Sequence, residues 1–333
     1  MQSSRRSTSR LAILFVLLAS VALGACGSDD DDAGDDAGAQ EMTRVDFQLS
    51  WLPGGDNLGF WAGQEQGFFE DEGIDLNIRH SNDPTASIKL AASGERPMAI
   101  AYTGDILFSA AKGNLVKSVY TLTESSPFGI IALDEAGIDR AEDLAGKRVG
   151  VTSLPTDQAY FDNMLDEAGV DKSEVDVVDP GQAGIQQVIQ GNLDGTSAIV
   201  NYEPAVLENE GIEDYTFTFY SDYGAPDAPF YCIVANPAWL EENGDVVEAF
   251  IRATRASFDW TDENVDEAAE LFVQQFPEQD PELVKAIWEG EAEIQGDGTN
   301  DAAQWDELAE FFEAEGLLEK PVDTEELYTD EYQ

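Results

Sequence analysis

Apolar and polar positions alternate in two short stretches, at Val45, Phe47 and Leu49 and again at Ile74, Leu76 and Ile78. A period of two predicts strands. Between them residues 59–70 carry a helical spacing that stops before Gly73. Asp83-Pro84 sets an N-cap acceptor before a proline, which predicts a helix from there over Ile88, Leu90 and Ala91 to a stop at Gly94. An apolar strand at 98–101, a helix over 105–112 closed by Gly113, and a strand at 116–122 complete one cycle. A second cycle reads strands at 127–133 and 147–151, then an amphipathic helix over 155–168 with Phe161, Met164 and Leu165 on one face and Gly169 after it. A strand at 175–178, a helix over 184–190 and a strand at 198–200 follow, and one more strand returns at 230–235. The remainder turns helical over 245–259, 264–275, 281–289 and 301–315. Strand, helix, strand at this spacing predicts an α/β fold with mostly parallel sheets and right-handed crossovers.

Ahead of these elements the pattern changes. Arg5, Arg6 and Arg10 precede an uncharged run from Leu11 to Leu23, and Leu23-Gly24-Ala25-Cys26 follows. At about 1.5 Å rise per residue that run is too short for roughly 30 Å of hydrocarbon. Residues 1–25 therefore read as an export signal. The last four residues resemble a bacterial lipobox, which makes Cys26 the expected lipidation site and the only expected membrane attachment. Residues 26–43 are Gly/Asp-rich with almost no apolar side chain, so an acidic disordered tether is predicted. Its Asp run lacks the alternating ligands, turn glycine and closing glutamate of a calcium loop, and no metal is expected there.

Charge narrows the function classes. Sixty-eight Asp and Glu stand against 17 Lys and Arg, a net charge of -51. Nucleic acid needs a basic face and is excluded as a partner. A hydrophobic share of 43% still builds a sizeable core. The one histidine, His80, argues against His-based catalysis and His-rich metal sites. With Cys26 under lipid, Cys232 has no disulfide partner, and its apolar surroundings make it a buried small hydrophobe. Surface acidity of this size suits a saline medium, where it is screened.

Longer motifs carry a resemblance. Ser50-Trp51-Leu52-Pro53, then Gly59-Phe60-Trp61-Ala62 and Gln64 through Leu76, resemble the opening of the THI5-like (NMT1-like) substrate-binding proteins. Glu142 through Val151, Asn201-Tyr202-Glu203-Pro204-Ala205 and Asp222 through Pro226 resemble that family's later segments, in the same order. The resemblance spans about residues 45–315. It implies a type II periplasmic-binding fold, in which two α/β lobes are joined by two crossing segments with the ligand between them. Lobe one is expected over 44–134 plus 225–333 and lobe two over 135–224, with the strands at 127–133 and 229–236 as the crossings. It also implies the solute-binding component of an ABC importer for pyrimidine precursors of thiamine, sulfonates or related small molecules. The expected partners are the small-molecule ligand and a permease with its ATPase, and the chain is expected to be a monomer outside the cytoplasm.

Loops at the carboxyl ends of strands face the crevice in such sheets. They supply Trp51, Tyr102, Tyr202 and Tyr223 for stacking on a flat ring. Asp105, Glu203 and Asp227 can accept hydrogen bonds from ligand amines, while Asn57, Thr103, Ser153 and Thr156 add amide and hydroxyl groups. No Arg or Lys lies in these loops, which disfavours a sulfonate or carboxylate held by a bidentate cation. An amine-bearing aromatic heterocycle is the leading ligand, with Trp51 and Tyr202 clamping it from opposite lobes. Pyrimidine-precursor binders carry Asn and His after the first tryptophan, where this chain has Gly54 and Asn57. The eukaryotic pyrimidine-synthase relatives carry a Cys-rich motif and a reacting His. This chain has no Cys cluster and no His in the candidate loops, so no catalytic residue, metal or cofactor is expected. The alternative is an extracytoplasmic enzyme or ligand sensor on the same fold.

Overall fold

The computed structural model describes residues 42–333 apart from Pro84. The predicted export signal, Cys26 and nearly all of the tether lie outside the described residues. The strands are β1 (Thr43–Gln48), β2 (Ile74–Arg79), β3 (Met98–Tyr102), β4 (Lys117–Thr123), β5 (Phe128–Leu133), β6 (Arg148–Gly150), β7 (Asp176–Val178), β8 (Gly195–Ile199), β9 (Tyr215–Phe219), β10 (Tyr231–Ala235) and β11 (Gln295–Gly298). They form a six-stranded sheet ordered β11-β4-β10-β3-β1-β2 and a five-stranded sheet ordered β7-β6-β8-β5-β9. Within each sheet an inner strand runs against both neighbours: β10 is antiparallel to β3 and β4, and β5 is antiparallel to β8 and β9; the edge strand β11 is also antiparallel to β4. β5 and β10 are the first strands after the chain changes lobe, so each enters its sheet from the side facing the other lobe. This is the type II periplasmic-binding fold.

The crossing segments differ from the expectation. The strand at 127–133 is no crossing but lies inside the second sheet, and the strand at 230–235 lies inside the first. The crossings are the short stretches before them, residues 124–127 and 220–230, which contain no strand. Asp227 ties the two together: its Oδ1 accepts from Ser126 N–H at 2.8 Å, and Gln304 Nε2 donates to the carbonyls of Glu124 and Asp227 at 2.8 and 2.9 Å.

Packing explains the apolar runs. β3 and β10 are buried on both faces, since helices cover each side of the first sheet. Tyr231, Ile233 and Ala235 belong to one apolar cluster, and Cys232 and Val234 to the cluster on the opposite face. Alternation in β1 buries Phe47, whose ring lies 5.0 Å from Phe60 and 4.9 Å from Phe250. Gly59 lets the helix Leu58–Gln66 (58–66) approach the long helix Gly244–Glu263, since a Cβ there would meet the Phe258 ring at 2.4 Å. Gly67, with φ at 84°, breaks the single helix predicted over 59–70 into Leu58–Gln66 and Phe68–Asp71. The helix predicted to open at Asp83 begins at Ala86, and the Asp83 side chain accepts from Thr85 N–H instead. Four strands and helices were not predicted: the strands β9 and β11 and the helices Glu203–Asn209 and Pro237–Leu240.

Candidate functional site

Between the lobes the first sheet presents the ends of β1, β3 and β4 and the start of β10 on one side. The loop after β1 carries Trp51, Asp56 and Asn57. Tyr102 ends β3 and sits directly opposite Tyr231 of β10 in the ladder, with ring centroids 5.2 Å apart. Phe230 extends this wall, 5.0 Å from Tyr102 and 4.8 Å from Phe128 of the second lobe. Beneath the wall is a cavity of about 10 Å³ lined on its polar side by Ser50, Asp56, Asn57, Tyr231 and Glu291. Glu291 comes from the helix Pro281–Ala292, far along the chain.

The second lobe answers with Asn201, Tyr202 and Glu203 after β8 and with Asp157 and Tyr160 on the helix Pro155–Ala168. Asn201 Nδ2 donates to Glu291 Oε2 at 2.6 Å, a buried hydrogen bond from lobe to lobe. Gly290 makes that approach possible, because a Cβ there would stand 3.0 Å from the Asn201 Cα. Asn209 and Asp280 meet across the same seam at 3.5 Å. The structure is thus a closed one, with the helices Glu203–Asn209 and Pro281–Ala292 packed across the cleft mouth.

Burial sets the charge state of this region. It pushes the Asp56 carboxyl up to about 6 and the Glu203 carboxyl up to about 7. Glu291 is raised well above the usual carboxylate range by burial, with the charge of Asp56 adding to it. Asp105 is lifted to about 6 by burial, against the pull of Lys112 and Lys89. Burial also raises Asp157, and the Asp157 charge in turn lifts Glu203. The Tyr202 hydroxyl is raised by burial and by the charges of Glu203 and of Asp56 on the facing lobe. Carboxyl groups from both lobes therefore converge with aromatic rings. No Lys, Arg or His lines the cavity beneath them.

The predicted site residues divide. Asn57 lines the cavity, Tyr102 stands in the ring wall above it, and Tyr202 and Glu203 come from the facing lobe. Trp51 is half-buried and Tyr202 is exposed. Glu203 is partly committed, since its Oε2 accepts from Ile199 N–H at 2.7 Å. Asp105 is half-buried in the first turn of the helix Thr103–Ala111 (103–111), and Thr156 sits in the first turn of its own helix. Four others are occupied elsewhere. Thr103 is buried and its hydroxyl donates to the Pro229 carbonyl. Ser153 is exposed and donates to Asp179 in the loop after β7. Tyr223 accepts from Ala141 N–H and donates to Glu142, each at 3.1 Å, and so staples its own lobe. Asp227 ties the crossings, as described above. The residues that sequence reasoning passed over are Ser50, Asp56, Asp157, Tyr231 and Glu291. Asp56 lies inside a loop already singled out, whereas nothing local marks Glu291.

Comparison with known proteins agrees with this architecture. The sequence profile of the family described as NMT1/THI5 like matches residues 55–268. The chain belongs to the NMT1/THI5-like family. Among NMT1/THI5-like relatives, the formylaminopyrimidine-binding protein of Halalkalibacterium halodurans is 29% identical, over 95% of this chain and 97% of its own. A 4-amino-5-hydroxymethyl-2-methylpyrimidine phosphate synthase of Legionella pneumophila is 24% identical, over 87% and 92%. The crystal structure of the periplasmic aliphatic sulphonate binding protein SsuA from Escherichia coli superposes with a TM-score of 0.66 at 14% identity, covering 86% of this chain and 91% of that one. The NMT1/THI5-like fold of this chain is thus a periplasmic-binding fold.

Proposed function

We propose that this chain is the extracytoplasmic solute-binding component of an ABC importer, anchored by lipid on Cys26, and that its solute is an amine-bearing aromatic heterocycle of the thiamine-precursor kind. The observation that carries this reading is the composition of the cleft: carboxyl groups from both lobes, a wall of aromatic rings, and no basic side chain lining the cavity. Rings stack on rings, and carboxyl oxygens accept from amino groups. A sulfonate would meet acceptors where it needs donors. The similarity to a formylaminopyrimidine-binding protein over nearly the whole chain supports the same class of solute.

In this reading the ring lies between Trp51 and Tyr202, and Glu203 accepts its amino group. Closure brings these groups together, so the ligand stabilises the closed form through contacts that the open form lacks. Binder is preferred over enzyme on the chemistry present. His80 is exposed just after the end of β2 and does not line the cavity. The Cys232 thiol is fully buried, and burial pushes it up to about 12, so no thiolate forms at neutral pH. A thermal-shift screen of pyrimidines, flavins, sulfonates and polyamines tests the reading. Aminopyrimidines are expected to raise the melting temperature, and bound solute is expected to be recovered unchanged. Stabilisation by sulfonates alone, or chemical conversion of an aminopyrimidine, would overturn it.

A further inference from the structure

The cavity under the ring wall is too small for a ring. At about 10 Å³ it has room for one water-sized group. Its polar lining is rich in acceptors. Asn57 is 2% exposed and its Oδ1 has no partner in the protein, and Ser50 is 1% exposed with an unpartnered Oγ. Two carboxyl groups, of Asp56 and Glu291, and the Tyr231 hydroxyl complete that side. Glu291 is 3% exposed, and the Asn201 amide that holds it from the facing lobe leaves its own Oδ1 unpartnered as well. The rest of the wall is apolar, formed by Ile100, Leu122 and Phe258. Buried acceptors without donors are costly, and burial drives unpaired acids toward their neutral forms unless a donor or cation sits beside them. The apolar wall lowers the local dielectric and strengthens whatever polar contact forms there.

We propose that this cavity is a socket for one compact nitrogen group with N–H donors, ammonium-sized and cationic or amino, seated among Asp56, Asn57, Ser50 and Glu291. An ammonium group matches a water in size, offers several donors and balances the acids. An anion would meet only repulsion and desolvation there. Two sources share this chemistry: an amino substituent of the ring solute, or a free ammonium ion. The first rests on the reading of the cleft above, with the ring staying in the cleft and its substituent reaching down. The second does not depend on it.

The test uses the full chain in two arms. In the first, melting is followed in ammonium, methylammonium and tetramethylammonium chloride at equal ionic strength and pH 8. Ammonium and methylammonium are expected to raise the melting temperature above the tetramethylammonium value by about 2–4 °C, the scale of a modest binding energy in a protein of this size. Glu291→Gln and Asp56→Asn should each remove the difference, and the wild-type comparison stands even if a variant folds poorly. In the second arm, 4-aminopyrimidine is compared with unsubstituted pyrimidine. The wild type should prefer the amino form at least tenfold, and Glu291→Gln should lose that preference, whereas Trp51→Ala, which removes the stacking face, should weaken both rings. If 4-aminopyrimidine abolishes the ammonium effect, the ring's own amine fills the socket; if the two effects add, the free ion does. If neither ring binds the wild type, the cleft reading fails and the ammonium arm alone decides the socket. Equal melting in all three salts, together with no preference for the amino ring that depends on Glu291, would overturn the proposal.

Discussion

Glu203 and Glu310 carry the same carboxyl in opposite settings. Glu203 stands in the cleft, takes a backbone hydrogen bond from Ile199, and is pushed up to about 7 by burial. Glu310 lies exposed on the helix Ala302–Ala314 (302–314), one of many acids on an outer surface that gives the chain its net charge of -51. On the outside, acids repel one another through water and salt screens them. In the cleft, acids are kept out of water and respond to whatever donor enters. The same side chain thus meets different physics in the two settings. In the proposed reading the outer acids set how the fold behaves in its medium, and the cleft acids select the ligand.

The largest effect that separates the two groups is pH. A bound amino group gains most from charged cleft carboxylates, so affinity should fall as pH drops through about 7 and fall further through about 6. That window follows from Asp56 at about 6 and Glu203 at about 7. Stability of the ligand-free chain should move the other way. Glu203 is raised from 4.5 in the unfolded chain to about 7 in the fold, so its contribution is fully present below about 4.5 and is lost as pH rises through 7. Calorimetric titrations and denaturant melts at pH 5 and pH 8 should therefore show affinity rising while unliganded stability drops. Movement of both in the same direction would mean the cleft acids behave like the outer ones.

A smaller effect should follow from closure. Gly290→Ala places a methyl group 3.0 Å from the Asn201 Cα and should hold the lobes slightly apart. Ligand affinity should drop several-fold while the melting temperature of the unliganded chain stays within a few degrees, a split read by titration and thermal melting. Unchanged affinity would show that the seam between Asn201 and Glu291 tolerates the methyl group and does not govern binding.

Salt should act on the outer acids. The Debye length shortens from roughly 30 Å at 0.01 M to 3 Å at 1 M, so self-repulsion fades and the melting temperature should rise across that range. A flat or falling melting temperature would remove the self-repulsion from the account. Smallest of all is a single surface pair. Arg252 donates to Glu72 at 2.8 Å with more than half of its side chain exposed, and Arg252→Ala should cost less than about 1 kcal/mol in a denaturant melt.

Much of the scaffold was legible from periodicity and punctuation. The helix Pro155–Ala168 (155–168) has proline in its first turn and Gly169 at φ 68° after its last, so both ends were written in the sequence. β9 shows the opposite outcome. Tyr215, Phe217 and Phe219 alternate with threonines, a readable strand, yet its location between the helix Glu203–Asn209 and the second crossing hid its role. β11 is Gln-Gly-Asp-Gly and has no strand propensity, so only the free edge of β4 explains it. The site was legible by halves. The loop after β1 and the Asn201-Tyr202-Glu203 segment were visible because strand ends face the crevice. Tyr223 and Asp227 look the same in sequence but are used up by hydrogen bonds within the fold. Glu291 was beyond reach, because its partner Asn201 is 90 positions away and on the other lobe.

The central claim is that the cleft, and not the acidic surface, captures an amine-bearing ring. Calorimetric titration of formylaminopyrimidine into the wild type, Trp51→Ala, Glu203→Ala and Glu310→Ala tests it most directly. Loss of a stacking ring is worth roughly 0.5–1.5 kcal/mol beyond buried area, and an unpaired donor adds about 1–3 kcal/mol. Saturable one-to-one binding is expected in the wild type and in Glu310→Ala, with affinity at least tenfold weaker in Trp51→Ala and in Glu203→Ala. Equal affinity in all four proteins, or no binding to the wild type, would contradict it.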